Sequence, residues 1–261
     1  MPRFAIYSRT DTDSSIVKKK IKTALLDANW VYDDEKPELV IVIGGDGKML
    51  RAVHHYLYRL ADTAFIGINT GTLGFFADYN KNEVKQLIED LLHGERYEEA
   101  CPILKVIFHY DDHEEVIYSV NEVRIEHPLR AMDLEVYVNG VLLEKYVGNG
   151  ACVASPAGST GYLRSLGGAM VERDLNILEF MEIIPVANSM MHSLRNALII
   201  DGHKTITLVS DNFGSVYIST DYISKKRAEF KKISIKLASK KLRFVHYRNY
   251  PFLERLRDKI I

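Results

Sequence analysis

The chain has 261 residues, 47% of them hydrophobic, with 34 basic and 35 acidic side chains and a net charge of −1. That apolar content supplies one large core or two modest ones and excludes a disordered chain. Balanced charge gives no general attraction to nucleic acid or anionic membrane, and no apolar run approaches the roughly 20 residues that span a bilayer. The opening residues turn polar too soon for a signal peptide, so a cytoplasmic protein with a small-molecule ligand is the expectation. Cys101 and Cys152 have no CxxC or Cys/His spacing and read as buried reduced thiols, and the nine histidines show no metal-ligand spacing.

Residues 4–8 read as a strand, and Asp13-Ser14-Ser15 offers N-cap chemistry for a helix through Val17, Ile21, Leu25 and Leu26. Leu39-Val40-Ile41-Val42-Ile43 is a continuous apolar run, as in a strand buried on both faces of a parallel sheet. A helix with Met49, Leu50, Val53, Tyr56 and Leu57 follows, then a buried strand at 64–68 and a helix from about 83 to 92. Past Pro102 strands dominate: 103–110 and 116–125 around an Asp111-Asp112-His113 turn, then a hairpin about Asn139-Gly140. Further strands are expected at 205–209, 215–219, 233–237 and 242–247, with the basic stretch 225–232 as a solvated connection. The fold class is α/β, an N-terminal open α/β domain (1–98) with a mainly β second domain (99–248) and a C-terminal segment (249–261) packing back on the first.

Gly44-Gly45-Asp46-Gly47 stands where a buried strand hands over to a helix, the edge at which open α/β sheets bind ligands. Glycines and a helix N-terminus suit phosphate. An aspartate there would repel phosphate unless it served a hydroxyl nucleophile or a metal, which suggests phosphoryl transfer to an alcohol. A glycine turn with Asp46 as helix N-cap fits this motif equally well. The Walker pattern is absent. A second glycine turn, from Asn69 through Gly71 and Gly74 to Phe75 and Phe76, ends the next strand; its phenylalanines suit either stacking on adenine or plugging a domain interface.

Asn121-Glu122 interrupts an apolar strand, and a carboxylate there suits a ribose diol, or else an edge strand with alternate residues in water. Gly148-Asn149-Gly150 leads into a run from Ser155 to Gly168 rich in glycine and hydroxyl groups, resembling a ligand-lining turn that enters a helix with Tyr162 and Ser165 on one face. No Gly-x-Ser-x-Gly elbow is present, which speaks against a hydrolase.

In this order the four segments resemble the NAD kinase family, strongly over residues 39–168. Lipid kinases and phosphofructokinases share the look of the first segment only, and a non-catalytic dinucleotide sensor is the rival of another class. The resemblance implies phosphoryl transfer from ATP or polyphosphate, with Mg2+, to the adenosine ribose 2′-hydroxyl of NAD, in a homodimer or homotetramer whose neighbouring subunits complete the site. Neither nucleic acid nor membrane is an expected partner. By matching position it makes Asp46 the proton acceptor and sets Gly44, Gly45, Gly47, Asn69 and Phe75 about the phosphates and nucleotide. Asn121 and Glu122 would hold adenine and ribose. Val147, Asn149, Ser155, Thr160, Gly161, Tyr162, Leu163, Arg164 and Ser165 would line the dinucleotide, with Asp221 nearby. No protein metal ligand is implied. Lys48 stands where threonine is common in the family and Asn149 where aspartate is.

Overall fold

The computed structural model describes residues 1–71, 74–186, 193–211 and 213–261. They form two compact units, one of residues 1–100 with 241–261, the other of residues 101–240. In the first, β1 (Arg3–Ser8) is followed by α1 (Thr12–Asp27), β2 (Val31–Tyr32), β3 (Leu39–Ile43), α2 (Asp46–His55), β4 (Ala64–Asn69), β5 (Tyr79–Asn80) and α3 (Val84–His93). The strands run parallel, β1 between β2 and β3, and β4 beyond β3. All five residues of β3 are buried, because Leu39, Ile41 and Ile43 meet Ile21 and Leu25 of α1 and Leu87 and Leu91 of α3, while α2 packs on β1 and β3. Two-sided cover of this kind is why the strand reads as an unbroken apolar run.

The N-cap of α1 is Asp11, two residues earlier than the sequence suggests; it accepts from the Ser14 N–H at 2.9 Å. Asp13 lies instead in the first turn, where its charge meets the positive helix end, and pairs with Lys81 at 2.9 Å.

The second unit begins within β6 (Tyr97–His109) and continues through β7 (Glu114–Ser119), β8 (Glu122–Glu126), β9 (Met132–Val138), β10 (Val141–Ala154), the single turn α4 (Tyr162–Ser165), β11 (Ile177–Pro185), β12 (Leu198–Asp201), β13 (Ile206–Val209), β14 (Val216–Thr220) and β15 (Ile223–Arg227) into β16 (Lys232–His246). Asn139 and Gly140 both take positive φ in the hairpin joining β9 and β10, as a two-residue loop needs. The strand expected across 116–125 is broken at 120–121 into β7 and β8, and the pair expected at 233–247 is the one strand β16. The basic stretch is only partly a connection: Lys225 and Lys226 lie on β15, which pairs on one side with β14, and Phe230 is buried against Phe108 and Phe213. Lysines on an outer strand discourage pairing with another chain.

The far end of β16 belongs to the first unit, where Arg243 and Phe244 pair in parallel with Ala64 and Phe65. The sequence division at 248 thus falls after the structural one at 240, because this pairing extends the parallel sheet. Helix α5 (Phe252–Ile260) follows in the same unit. Both cysteines are free and buried. Among the described residues no helix is long and apolar enough to cross a membrane.

Candidate active site

The first unit carries Asp46 at the opening of α2. Gly45 is the N-cap and Asp46 lies inside the first turn, so the capping alternative does not hold. Its carboxylate accepts two backbone hydrogen bonds from the second glycine turn, Phe75 N–H to Oδ2 at 2.9 Å and Phe76 N–H to Oδ1 at 3.1 Å. A Cβ on Gly74 would overlap this carboxylate, so only glycine lets the turn close over it. Thr72 and Leu73 of that turn lie outside the described residues. Asn69, at the end of β4, is buried and accepts from the Gly71 N–H at 2.8 Å.

Beside Asp46 is a cavity of about 480 Å³ lined by Arg9, Thr10, Asp11, Gly45, Gly47, Lys48 and Arg51. Burial, then the nearby Arg51 and Arg9 charges, pull the Lys48 ammonium below its ordinary value, so three cations share this lining with Asp11, which pairs with Arg9 at 3.2 Å. Among the described residues nothing lies within 4 Å of where a Cβ on Gly47 would stand, so their packing does not require glycine there. Arg9 and Arg51 escaped the sequence reading because neither belongs to a motif; one directly follows β1 and the other lies more than a turn into α2. Phe76 stacks on Phe244 at 5.4 Å inside the first unit, so it plugs that unit's own core.

In the second unit, Asn121 and Glu122 sit at the break between β7 and β8, held from three directions. Asp221, at positive φ after β14, accepts from Ser119 Oγ at 2.9 Å, Val120 N–H at 2.9 Å and Asn121 N–H at 2.7 Å. Ser155 donates its hydroxyl to the Val120 carbonyl at 2.6 Å and its N–H to the Asn121 carbonyl at 2.8 Å. Gly158 abuts the same carbonyl, where any Cβ would collide. These five hydrogen bonds fix a bend rather than a ladder, which is why the strand breaks here. Ser155 therefore serves the loop, its side chain fully buried.

The bend points Val123 and Ile125 into the main core and Glu122, Arg124 and Glu126 to the opposite face. Asn121 Oδ1 and Glu122 Oε2 are buried without a hydrogen-bond partner among the described residues. Burial, then the Asp221 charge, pushes the Glu122 carboxyl up to about 7, against a lowering pull from Arg124 and the Tyr162 N–H. Two buried acceptors side by side on one face have the chemistry to receive a donor-bearing ligand. Gly161 leaves room above them, since a Cβ there would stand 3.0 Å from Glu122 Oε2.

Tyr162 spans this face, its hydroxyl donating to Glu126 Oε1 at 3.4 Å while the Arg124 guanidinium covers its ring at 3.9 Å. Leu163 is fully buried with Cys152, Ala154, Met181 and Ile183, so its side chain is core rather than ligand lining. Thr160 is half-buried, and Arg164 and Ser165 are exposed. Val147 and Asn149 lie farther along β10, where the Asn149 amide donates to the His127 carbonyl at 3.1 Å.

The sequence matches the ATP-NAD kinase N-terminal domain over residues 7–97 and the ATP-NAD kinase C-terminal domain over residues 120–247. The chain belongs to the NAD kinase family. The NAD kinase of Geobacillus stearothermophilus is 35% identical over 260 residues, 99% of this chain and 96% of that one. NAD kinase 1 of Bacillus subtilis (strain 168) is 32% identical, covering 99% of this chain and 98% of that one. Among solved structures, yeast NADH kinase complexed with NADH matches with a TM-score of 0.82 at 17% identity, over 100% of this chain and 87% of that chain. An NAD kinase from Archaeoglobus fulgidus in complex with ATP gives 0.76 at 21%, over 98% and 99%. NAD kinase activity goes with this membership, and at such identities the solved structures speak for the shared fold.

Proposed function

We propose that the protein moves the terminal phosphoryl group of ATP, or of inorganic polyphosphate, to the 2′-hydroxyl of the adenosine ribose of NAD. The observation that carries this reading is a carboxylate fixed by two backbone N–H groups, between the two glycines that border a cation-lined cavity. A carboxylate has about four lone-pair positions, so Asp46 can hold both N–H groups and still accept the 2′-hydroxyl proton. As the hydroxyl oxygen bonds to phosphorus, the bond to the departing phosphate chain breaks and the proton passes to Asp46. Arg9, Lys48, Arg51 and the N-terminus of α2 stabilise the phosphates. Mg2+ is expected to enter as part of the substrate, on the triphosphate. Purified protein given NAD, Mg2+ and either ATP or polyphosphate is expected to form NADP. No NADP with either donor would leave the sensor reading standing.

Glu122 and Asn121 take the adenosine ribose and adenine edge, and Gly161, Tyr162 and Thr160 line the dinucleotide. Supporting this are the two unpartnered acceptors and the space that Gly161 leaves over them. Glu122→Gln is expected to raise the KM for NAD more than it lowers turnover, because these contacts exist in ground and transition states alike. The same variant should change pH behaviour. A carboxyl whose folded value is raised to about 7 favours the fold below its unfolded value and loses that contribution as pH rises through about 7. The ligand-free protein should therefore lose thermal stability over that interval, and Glu122→Gln should flatten the loss in a melting series. An unchanged pH slope would remove Glu122 as its source.

We extend the proposal to Asn149 beside the nicotinamide and to a homodimeric or homotetrameric assembly. A carboxylate there would favour the positively charged oxidised ring over the neutral reduced one by roughly 3 kcal/mol at about 6 Å and an effective dielectric of about 20, less with solvent access. Asn149→Asp is expected to raise the kcat/KM ratio for NAD⁺ over NADH about fivefold or more. The new carboxylate must turn from the His127 carbonyl that the amide now serves. An unchanged ratio would withdraw Asn149 from the nicotinamide.

A further inference from the structure

Arg255 of α5 is the most deeply buried arginine side chain of the first unit, 3% exposed, and it makes no contact with the cavity. Its Nε donates to the Tyr250 carbonyl at 3.1 Å, and one terminal nitrogen donates to the carbonyls of Phe75 and Ala77, each at 3.2 Å. The other terminal nitrogen pairs with Asp78. The second Asp78 oxygen meets His246 Nδ1, and His246 Nε2 meets Glu99 at 3.1 Å under the ring of Tyr97. A buried guanidinium costs several kcal/mol unless it is fully paired, and replacing such a network with apolar groups is often neutral or stabilising. Stability alone is a weak reason for its presence.

The geometry gives another. The Phe75 carbonyl that Arg255 holds and the Phe76 N–H that holds Asp46 are opposite ends of one peptide bond. That unit is planar and rigid, so fixing the oxygen fixes the direction of the N–H. A cation on the carbonyl also polarises the amide and strengthens what it donates. We infer that Arg255 is a positioning residue for phosphoryl transfer, setting Asp46 through the Phe75–Phe76 peptide, with Asp78, His246 and Glu99 holding Arg255 in turn. The inference rests on Asp46 being the proton acceptor.

The test is a double-mutant cycle on the full chain with NAD, ATP and Mg2+. Arg255→Met is expected to lower kcat about 10–100-fold, with KM for both substrates within about threefold, because sub-ångström misplacement of a reacting group acts on turnover. Arg255→Lys keeps the ion pair with Asp78 but cannot also span both carbonyls. It should fold normally and lose about tenfold in kcat, and it carries the test if the methionine variant does not fold. In an Asp46→Asn background the same changes should have almost no further effect, since nothing remains to be positioned. Parental turnover in Arg255→Lys, a defect mainly in KM, or an equal loss in both backgrounds would overturn the inference. Full turnover in Asp46→Asn alone would instead refute the proton-acceptor reading, whatever Arg255 does.

Discussion

Asp46→Asn is expected to lower turnover by about 10²–10⁴-fold while NAD continues to bind, the range over which general bases contribute. The change conserves volume, so the Gly74 turn can still close over the side chain. Two things are lost. The amide has no proton-accepting carboxylate to offer the 2′-hydroxyl, and it presents an NH₂ where one of the Phe75 and Phe76 N–H groups now finds an acceptor. Steady-state NADP formation alongside calorimetric titration of NAD separates these effects from loss of binding. Near-parental turnover would exclude Asp46 from the chemistry.

Asp221→Ala should show the second large effect, and it should fall on NAD affinity. The carboxylate anchors three donors over residues 119–121, and hydrogen bonds to charged groups are each worth about 1.5–3 kcal/mol. Losing only one such bond's worth of preorganisation at Asn121 corresponds to about a 10–100-fold rise in the KM for NAD. Alanine is also strained at the positive φ of position 221, whereas asparagine tolerates it. Asp221→Asn keeps one accepting oxygen and should therefore give an intermediate KM with near-normal stability. If both variants bind NAD as the parent does, the clamp on the Asn121 bend is irrelevant to the ligand.

What could be read from the sequence was whatever is local. The run from Leu39 to Ile43 ending in Gly44-Gly45-Asp46-Gly47 places strand, turn and helix by itself, and Asn139-Gly140 fixes its hairpin without outside help. Features that depend on distant partners were opaque. The break at 120–121 exists because Asp221, 100 residues on, accepts the Asn121 N–H. Strand β11 went unread: Glu179 and Glu182 interrupt its apolar pattern, and their partners, the N–H groups of Ala169 and Arg195, lie on other segments. Arg255 sits in a charged helix that looks solvent-facing, while the carbonyl it serves is 180 residues away. Among the candidate residues, Asp46 in the first unit and Asn121, Glu122, Gly161 and Tyr162 in the second were legible as types that suit a phosphate and a dinucleotide. The burial of Ser155 and Leu163 shows that their neighbours in the same run have structural work instead.

The split composition of the first unit bears on how the protein is made. A ribosome delivers β1 through α3 early, then all of the second unit, and only afterwards the end of β16 and α5. Until then Ala64 and Phe65 of β4 lack their partners Arg243 and Phe244, and the Phe75–Asp78 segment lacks Arg255. The nascent N-terminal segment therefore waits with an open sheet edge and with the Phe75 and Ala77 carbonyls unheld by Arg255, and its closure requires contacts of very long sequence separation, which form slowly. Assembly of the aspartate's surroundings thus waits until residue 255 has been made, whichever unit folds first.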